Sequence, residues 1–355
     1  MTAAPAIVPL PYSPEEVASA LGRSWKKTLA AMYRWMALGR ALDARMQGLQ
    51  RQGRVGFYGA ATGHEAVSVA AGLVTRREDW ILPGLREQLV ALVRGHPLGT
   101  YAHHLFADDK DPARGRNMPC HPSAADVHYV SMSSVIGTQI SHAVGVAYAM
   151  RARKSPGVAL AFFGDGATSA NDFHAGLNLA AVWNLPVVFC CVNNQWAISL
   201  PVERQSAVAT LASKSAAYGL PGQRLDGTDV IAVYRGLGEA LRDARAGKGP
   251  KLLEFLVYRM TPHSSSDDPG RYQPKDWGAR AAASDPFLRL ASWMSEHGLL
   301  DEGSRTQIGA AVEEEVRAAV RQAEETSAPV PSSLTEDVYA PSASENSPAG
   351  AARGT

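Results

Sequence analysis

Two short clusters in the middle of the chain carry residue types suited to gripping a metal-bound anion. Gly164, Asp165 and Gly166 follow one apolar run (157–163), and Asn193 and Asn194 end another (186–192). Each run has the length and flanking turn residues of a buried strand that stops at a loop. A carboxylate and an amide carbonyl are hard oxygen ligands, and two of them cannot surround an ion. Magnesium accepts such an incomplete set and completes it with water and substrate phosphates. The glycines let backbone N–H groups approach an anion closely, and the helix that follows turns its positive end toward it. Gly-Asp-Gly alone is common in plain turns; Asn-Asn at the end of the next strand gives it meaning. The chemistry implied is a magnesium–diphosphate clamp.

Such a clamp needs neighbouring strands that end at the same edge. Between the two runs, residues 171–183 are Ala- and Leu-rich and helical, so strand, loop, helix and strand form a βαβ unit. That unit implies an α/β fold: a parallel sheet with helices on both faces and ligands at the carboxyl ends of its strands. A helix over 229–246 and a strand over 252–257 repeat the pattern. Helices are also expected over 25–50 and 63–73, separated by a Gly-rich loop. Residues 108–128, rich in Pro, Gly, Asn and Asp, are expected to be a long surface loop. The organisation expected is an N-terminal arm (1–24), an α/β domain (25–285), a helical, charged C-terminal extension (286–340) and a disordered tail (341–355).

The 355 residues carry 35 Lys and Arg against 34 Asp and Glu, a net charge of +1, which provides no long-range attraction to nucleic acid or acidic membranes. Hydrophobic residues at 46% and charged residues at 19% are ample for a globular core. No apolar run approaches bilayer length, and the start lacks a basic and then apolar leader, so a cytoplasmic location is expected. Cys190 and Cys191 adjoin in a strand and point to opposite faces, as core side chains and not as a bridge.

The stretch from Phe162 to Ser199, FFGDGATSANDFHAGLNLAAVWNLPVVFCCVNNQWAIS, resembles the alpha subunit of the thiamine-diphosphate-dependent decarboxylating component of 2-oxo acid dehydrogenase complexes. GRNMPCH, SSVIGTQISHAVGVAYAMR, YGLPGQRLDGTDV, YRMTPHSSSDDPGRYQ and LTEDVY echo the same family in order, over roughly residues 25–339. The resemblance implies thiamine diphosphate and Mg2+ as cofactors. Asp165 and Asn194 would hold the magnesium with the main-chain carbonyl of Trp196. Gly164, Gly166 and Ala167 would line the diphosphate, with Arg86 as its cation, and Ser134 and Ile136 would contact the aminopyrimidine. Ser133, Thr138 and Gln139 match positions that bind K+ in some relatives, although hydroxyls at a helix start are also plain caps. His263 matches the active-site histidine, while His103, His104, His121 and His142 keep ordinary structural readings.

The reaction implied is oxidative decarboxylation of a branched-chain 2-oxo acid of the 3-methyl-2-oxobutanoate type. Its acyl group would pass to a lipoyl arm on an acyltransferase partner. The alternatives are a pyruvate-type subunit and a non-catalytic assembly subunit. No carboxylate that activates the aminopyrimidine is identifiable, which implies a beta subunit and an α2β2 heterotetramer. The sequence departs from the family pattern at Leu85, where Tyr is usual, at Ala170 and Asn171, where Glu is common, and at Val192, where some relatives have Arg.

Overall fold

The computed structural model describes residues 6–264, 266–336 and 338. Its strands are β1 (Trp80–Leu82), β2 (Ala159–Gly164), β3 (Val187–Asn193), β4 (Trp196–Ala197), β5 (Leu200–Pro201), β6 (Gly222–Asp226) and β7 (Lys251–Leu256). The α-helices are α1 (Pro14–Leu21), α2 (Trp25–Arg51), α3 (Glu65–Val74), α4 (Gln88–Val93), α5 (Leu98–Phe106) and α6 (Thr138–Ala152). They continue with α7 (Asn171–Val182), α8 (Val230–Arg245), α9 (Trp277–Ala283), α10 (Pro286–Glu296) and α11 (Glu302–Glu324).

The main sheet has the order β1-β2-β3-β7-β6, and every pairing in it is parallel. Alternating side chains on its strands go to opposite faces. Leu160, Phe162, Val188, Cys190 and Phe255 join one buried cluster with residues of α2, α3 and α8. Ala161, Phe163, Phe189, Cys191 and Leu252 join another with residues of α6 and α7. The adjacent cysteines therefore belong to different faces. Leu290, Trp293, Val312, Val316 and Val320 of α10 and α11 complete the first cluster.

The register places the clamp residues together. Gly164 lies opposite Val192, so Asp165 and the two asparagines emerge from adjacent strands at one edge. Beyond them, β4 and β5 form a short antiparallel hairpin.

The structure adds to the sequence pattern in several places. Within the segment expected to be an arm, Ser13 and Glu16 form a capping box that starts α1, which buries Val17 and Leu21. Segment 108–128 is a loop with much of its length exposed, as expected, but it is anchored in the protein by buried Asp108, Asp111, Cys120 and His121. Asp108 accepts the N–H groups of Lys110 and Asp111, and Asp111 accepts those of Ala113 and Gly115. A loop that satisfies its own backbone can enter the interior. The strand β6 was not expected, because Gly-Gln-Arg-Leu-Asp is a polar edge defined by its pairing with β7. The tail 341–355 lies outside the described residues. No helix among the described residues is long and apolar enough to cross a membrane.

Gly63 shows how tightly the strand-end loops are set. Its φ is +98°, and a Cβ there would stand 2.0 Å from the Tyr258 carbonyl oxygen. Gly63→Ala is expected to cost about 1–3 kcal/mol, because strain and backbone overlap act together. A urea unfolding midpoint that stays at the native value would show that this loop yields freely.

Candidate functional site

A cavity of about 540 Å³ opens at the carboxyl ends of β2 and β3. Its lining includes Arg86, Ser133, Ser134, Ile136, Gln139, Gly164, Asp165, Gly166, Ala167, Asn194, Trp196 and His263. Thr138 is not among them. Val192 and Leu85 also line it. A larger groove of about 630 Å³, between α1 and α8, is open and far from the strand ends, and it gathers no comparable chemistry.

The two asparagines divide their work by strand alternation. Asn193 Nδ2 donates to buried Glu254 at 2.8 Å, which makes it a structural residue. Asn194 faces the cavity; its Oδ1 accepts the Trp196 N–H at 3.1 Å. Asp165 accepts from Gln205 Nε2 at 3.1 Å, and burial raises its carboxyl to about 6 against the pull of its own N–H, Gln205 and Arg259. A carboxylate kept from water in this way gains by meeting a cation. Among the described residues, no three His, Cys, Asp or Glu side chains gather as a metal site. Asp165 is the one carboxylate in the expected set, so a metal here depends on neutral oxygens and on its ligand's own.

Positive charge faces the same cavity. Arg86 is buried and donates to the carbonyl oxygens of Ala60 and His263, the latter at 2.8 Å. Burial first, and then Arg259, lowers its guanidinium to about 10. Arg259 is 1% exposed; its Nη2 bonds Ile198 O and Tyr272 Oη, whereas Nε and Nη1 have no partner among the described residues. Arg259 stands outside the cavity lining, behind Arg86, and its repulsion of Arg86 favours an anion nearby. Gly164 adds room: a Cβ built there meets nothing within 4 Å. At Gly166 a Cβ would come within 2.9 Å of Ala197 Cβ, so the backbone there approaches the β4–β5 hairpin as only glycine allows. The donor set, the spare room and the unmatched cations together fit a metal-bound diphosphate.

His263 is half-buried, and its ring falls to about 4 through burial and then the repulsion of Arg86 and Arg259. The sequence suggested a loop histidine titrating near neutrality; the structure holds it neutral. Its main-chain N–H donates to Asp267 at 2.7 Å, and Tyr272 holds the same carboxylate.

The expected potassium residues do not form one set. Thr138 donates to Val135 O at 2.9 Å and Ser133 Oγ accepts the Val135 N–H, a local turn. Gln139 donates to Phe162 O, and its Oε1 is buried with no partner among the described residues.

Sequence reasoning missed Arg259, His64, Glu87 and Gln205. Arg259 lies three positions past β7, at the same sheet edge, and a charge just beyond a buried strand was the available signal. His64 caps the start of α3 and is buried, its Nδ1 without a partner among the described residues and its ring pushed down by burial and both arginines. Glu87 adjoins Arg86, and burial raises it to about 7. Gln205 has no distinctive spacing.

Residues 33–332 match the family described as "Dehydrogenase E1 component". The chain belongs to the dehydrogenase E1 component family. This family implies thiamine diphosphate as cofactor. The dehydrogenase E1 chain is 41% identical over 298 residues to the 3-methyl-2-oxobutanoate dehydrogenase subunit alpha of Mycobacterium tuberculosis, covering 84% of this chain and 78% of that one. It is 40% identical over 316 residues to the 2-oxoisovalerate dehydrogenase subunit alpha of Bacillus subtilis, covering 87% and 94%. A pyruvate dehydrogenase E1 component subunit alpha from Staphylococcus aureus is 36% identical over 301 residues, covering 84% and 79%.

Proposed function

We propose that this E1 chain is the alpha subunit of a thiamine-diphosphate-dependent dehydrogenase that decarboxylates branched-chain 2-oxo acids and passes the acyl group to a lipoyl-bearing acyltransferase. The observation that carries the reading is the cavity itself, where Asp165 and Asn194 from adjacent strands face Arg86, with Arg259 behind. Two relatives at 40–41% identity bear names specifying a branched 2-oxo acid. Phe57, Met118, Met132, Ile136 and Ile198 give the cavity an apolar wall suited to an aliphatic side chain. The pyruvate reading shares all of this chemistry and has a relative at 36%.

Asp165, Asn194 and the Trp196 carbonyl would hold Mg2+, and Gly164, Gly166 and Ala167 would line the diphosphate. Arg86 and Arg259 would neutralise it, their forked donors matching phosphate oxygens. Ser134 and Ile136 would contact the aminopyrimidine. Support for K+ rests on Gln139 Oε1, a buried acceptor with no partner among the described residues. Bound there, thiamine diphosphate supplies the ring that takes up the electrons released as a 2-oxo acid loses carbon dioxide. His263, held neutral, offers a nitrogen lone pair and a donor for protons and developing negative charge beside it.

A second chain should finish the site. Ile136, 64% exposed, lines the cavity, and its neighbour Val135 in the loop before α6 is 70% exposed. Large apolar side chains exposed beside a reaction site suit a partner surface. The partner proposed is a beta subunit in an α2β2 assembly that brings the missing activating carboxylate. A cytoplasmic setting is part of this proposal.

Turnover of 3-methyl-2-oxobutanoate and of pyruvate, measured side by side on the alpha–beta complex and on the alpha chain alone, tests this reading. The complex is expected to favour the branched acid in kcat/KM, and the alpha chain alone to be inactive. Preference for pyruvate would replace the substrate assignment. Turnover by alpha alone would mean that the described chain holds a complete site.

A further inference from the structure

Glu254 stands in the middle of β7, 0% exposed, on the sheet face that Leu252 shares with α6 and α7. A carboxylate inside a sheet is costly unless it is paired and hydrogen-bonded. Arg224, opposite it in register on β6, brings Nε to 3.5 Å from Oε1. Oε1 also accepts Asn193 Nδ2 at 2.8 Å, and Oε2 accepts the main-chain N–H of Ala212 at 2.9 Å. The Asn193 and Ala212 bonds lead, by separate routes, to the two halves of the clamp.

The first route is short. Held through its Nδ2, Asn193 turns its Oδ1 to the Gln195 N–H and accepts it at 2.9 Å. Gln195 has a φ of +72°, a conformation that a residue other than glycine keeps only where its surroundings hold it. That turn sets Asn194 beside Trp196, whose N–H meets Asn194 Oδ1. The second route runs through the 3₁₀ segment Leu211–Tyr218. Two residues past Ala212, Lys214 Nζ donates to Thr168 O at 3.2 Å and to Thr168 Oγ1 at 3.0 Å. An ammonium only donates, so the Thr168 hydroxyl gives its own hydrogen to Asp165 O, at 2.9 Å. Buried Thr168 thereby closes the turn Asp165–Ser169, which carries Asp165, Gly166 and Ala167.

We infer that Glu254 is a positioning residue for the metal clamp. From outside the cavity lining, its one carboxylate fixes the Asn194–Trp196 end of β3 against the Asp165 turn after β2. This deepens the proposed function and rests on it. The consequence is a choice between ions. Mg2+ demands a near-ideal octahedron with oxygens at about 2.0–2.1 Å, whereas Ca2+ accepts looser sets at about 2.3–2.6 Å. A clamp of fixed width favours the smaller ion, and a slack one gives up that preference.

The test is calorimetric binding of Mg2+ and of Ca2+ to the alpha–beta complex in excess thiamine diphosphate. Glu254→Gln keeps the side chain's size but sets an amide donor against either Asn193 Nδ2 or the Ala212 N–H, both donors themselves. Mg2+ affinity is expected to fall about tenfold, the lower end of the range for losing a contact behind a metal ligand. Ca2+ affinity should fall much less, so the preference for Mg2+ shrinks. A merely structural loss weakens both ions alike, and an unchanged ratio therefore overturns the inference. Adding Asn193→Asp reverses the lost bond: the new amide donates to the new carboxylate, whose other oxygen still accepts the Gln195 N–H. This double variant is expected to regain the wild-type ratio, and failure to regain it overturns the inference. Lys214→Met cuts the second route alone and is expected to shrink the ratio too. An unchanged ratio there overturns the inference, whether or not Glu254→Gln folds. A wild-type complex that binds neither ion with the cofactor removes the clamp and the inference together, an outcome distinct from the others.

Discussion

Asp165→Ala is expected to abolish magnesium-dependent binding of thiamine diphosphate to the alpha–beta complex, a loss of at least about a hundredfold in affinity. Removing residues that merely support a metal ligand already costs up to that much, and Asp165 is the one charged protein ligand proposed. The ionised form is the one that binds. Because burial raises this carboxyl to about 6, protons compete with magnesium at mildly acidic pH. Wild-type affinity is therefore expected to be flat above neutrality and to fall about tenfold per unit once pH drops below that value. Calorimetry across that range checks both statements. Unchanged affinity in Asp165→Ala would remove Asp165 from the site, whatever the pH profile.

His263→Ala is expected to lower turnover by roughly 10²–10⁴-fold, the range for a positioned acid–base group. Magnesium affinity should stay largely intact, because no metal ligand is touched. The ring is pressed toward neutrality by the two arginines. An anion held near those cations would relieve that pressure, so the His263 ring pKa is expected to rise when the diphosphate binds. Proton NMR of the ring, with and without cofactor, reads this directly. Near-normal turnover in the alanine variant, with normal cofactor affinity and thermal midpoint, would return His263 to an ordinary loop residue.

The parallel core was legible because β2, β3 and β7 are continuous apolar runs bounded by turn residues, the pattern of strands buried on both faces. Short or polar strands were not legible: β1 has three residues, and β6 takes its conformation from its neighbour. At the site, Asp165 and Asn194 could be found from the ends of adjacent strands. Arg259 could not, because its importance lies in being buried beside Arg86 with two nitrogens unmatched, which no local spacing encodes. His121 and His104 were taken as ordinary residues for the same reason. Their hydrogen bonds join Asp111, His104, His121 and Ser134 in space, which no local spacing encodes.

A crystal structure of the alpha–beta complex soaked with thiamine diphosphate and Mg2+ tests the central claim most directly. The account predicts density for the diphosphate in the cavity between Gly166 and the Arg86–Arg259 pair, with the ion on Asp165 and Asn194. A diphosphate bound elsewhere on the chain, or an ion held without Asp165 and Asn194, would contradict it.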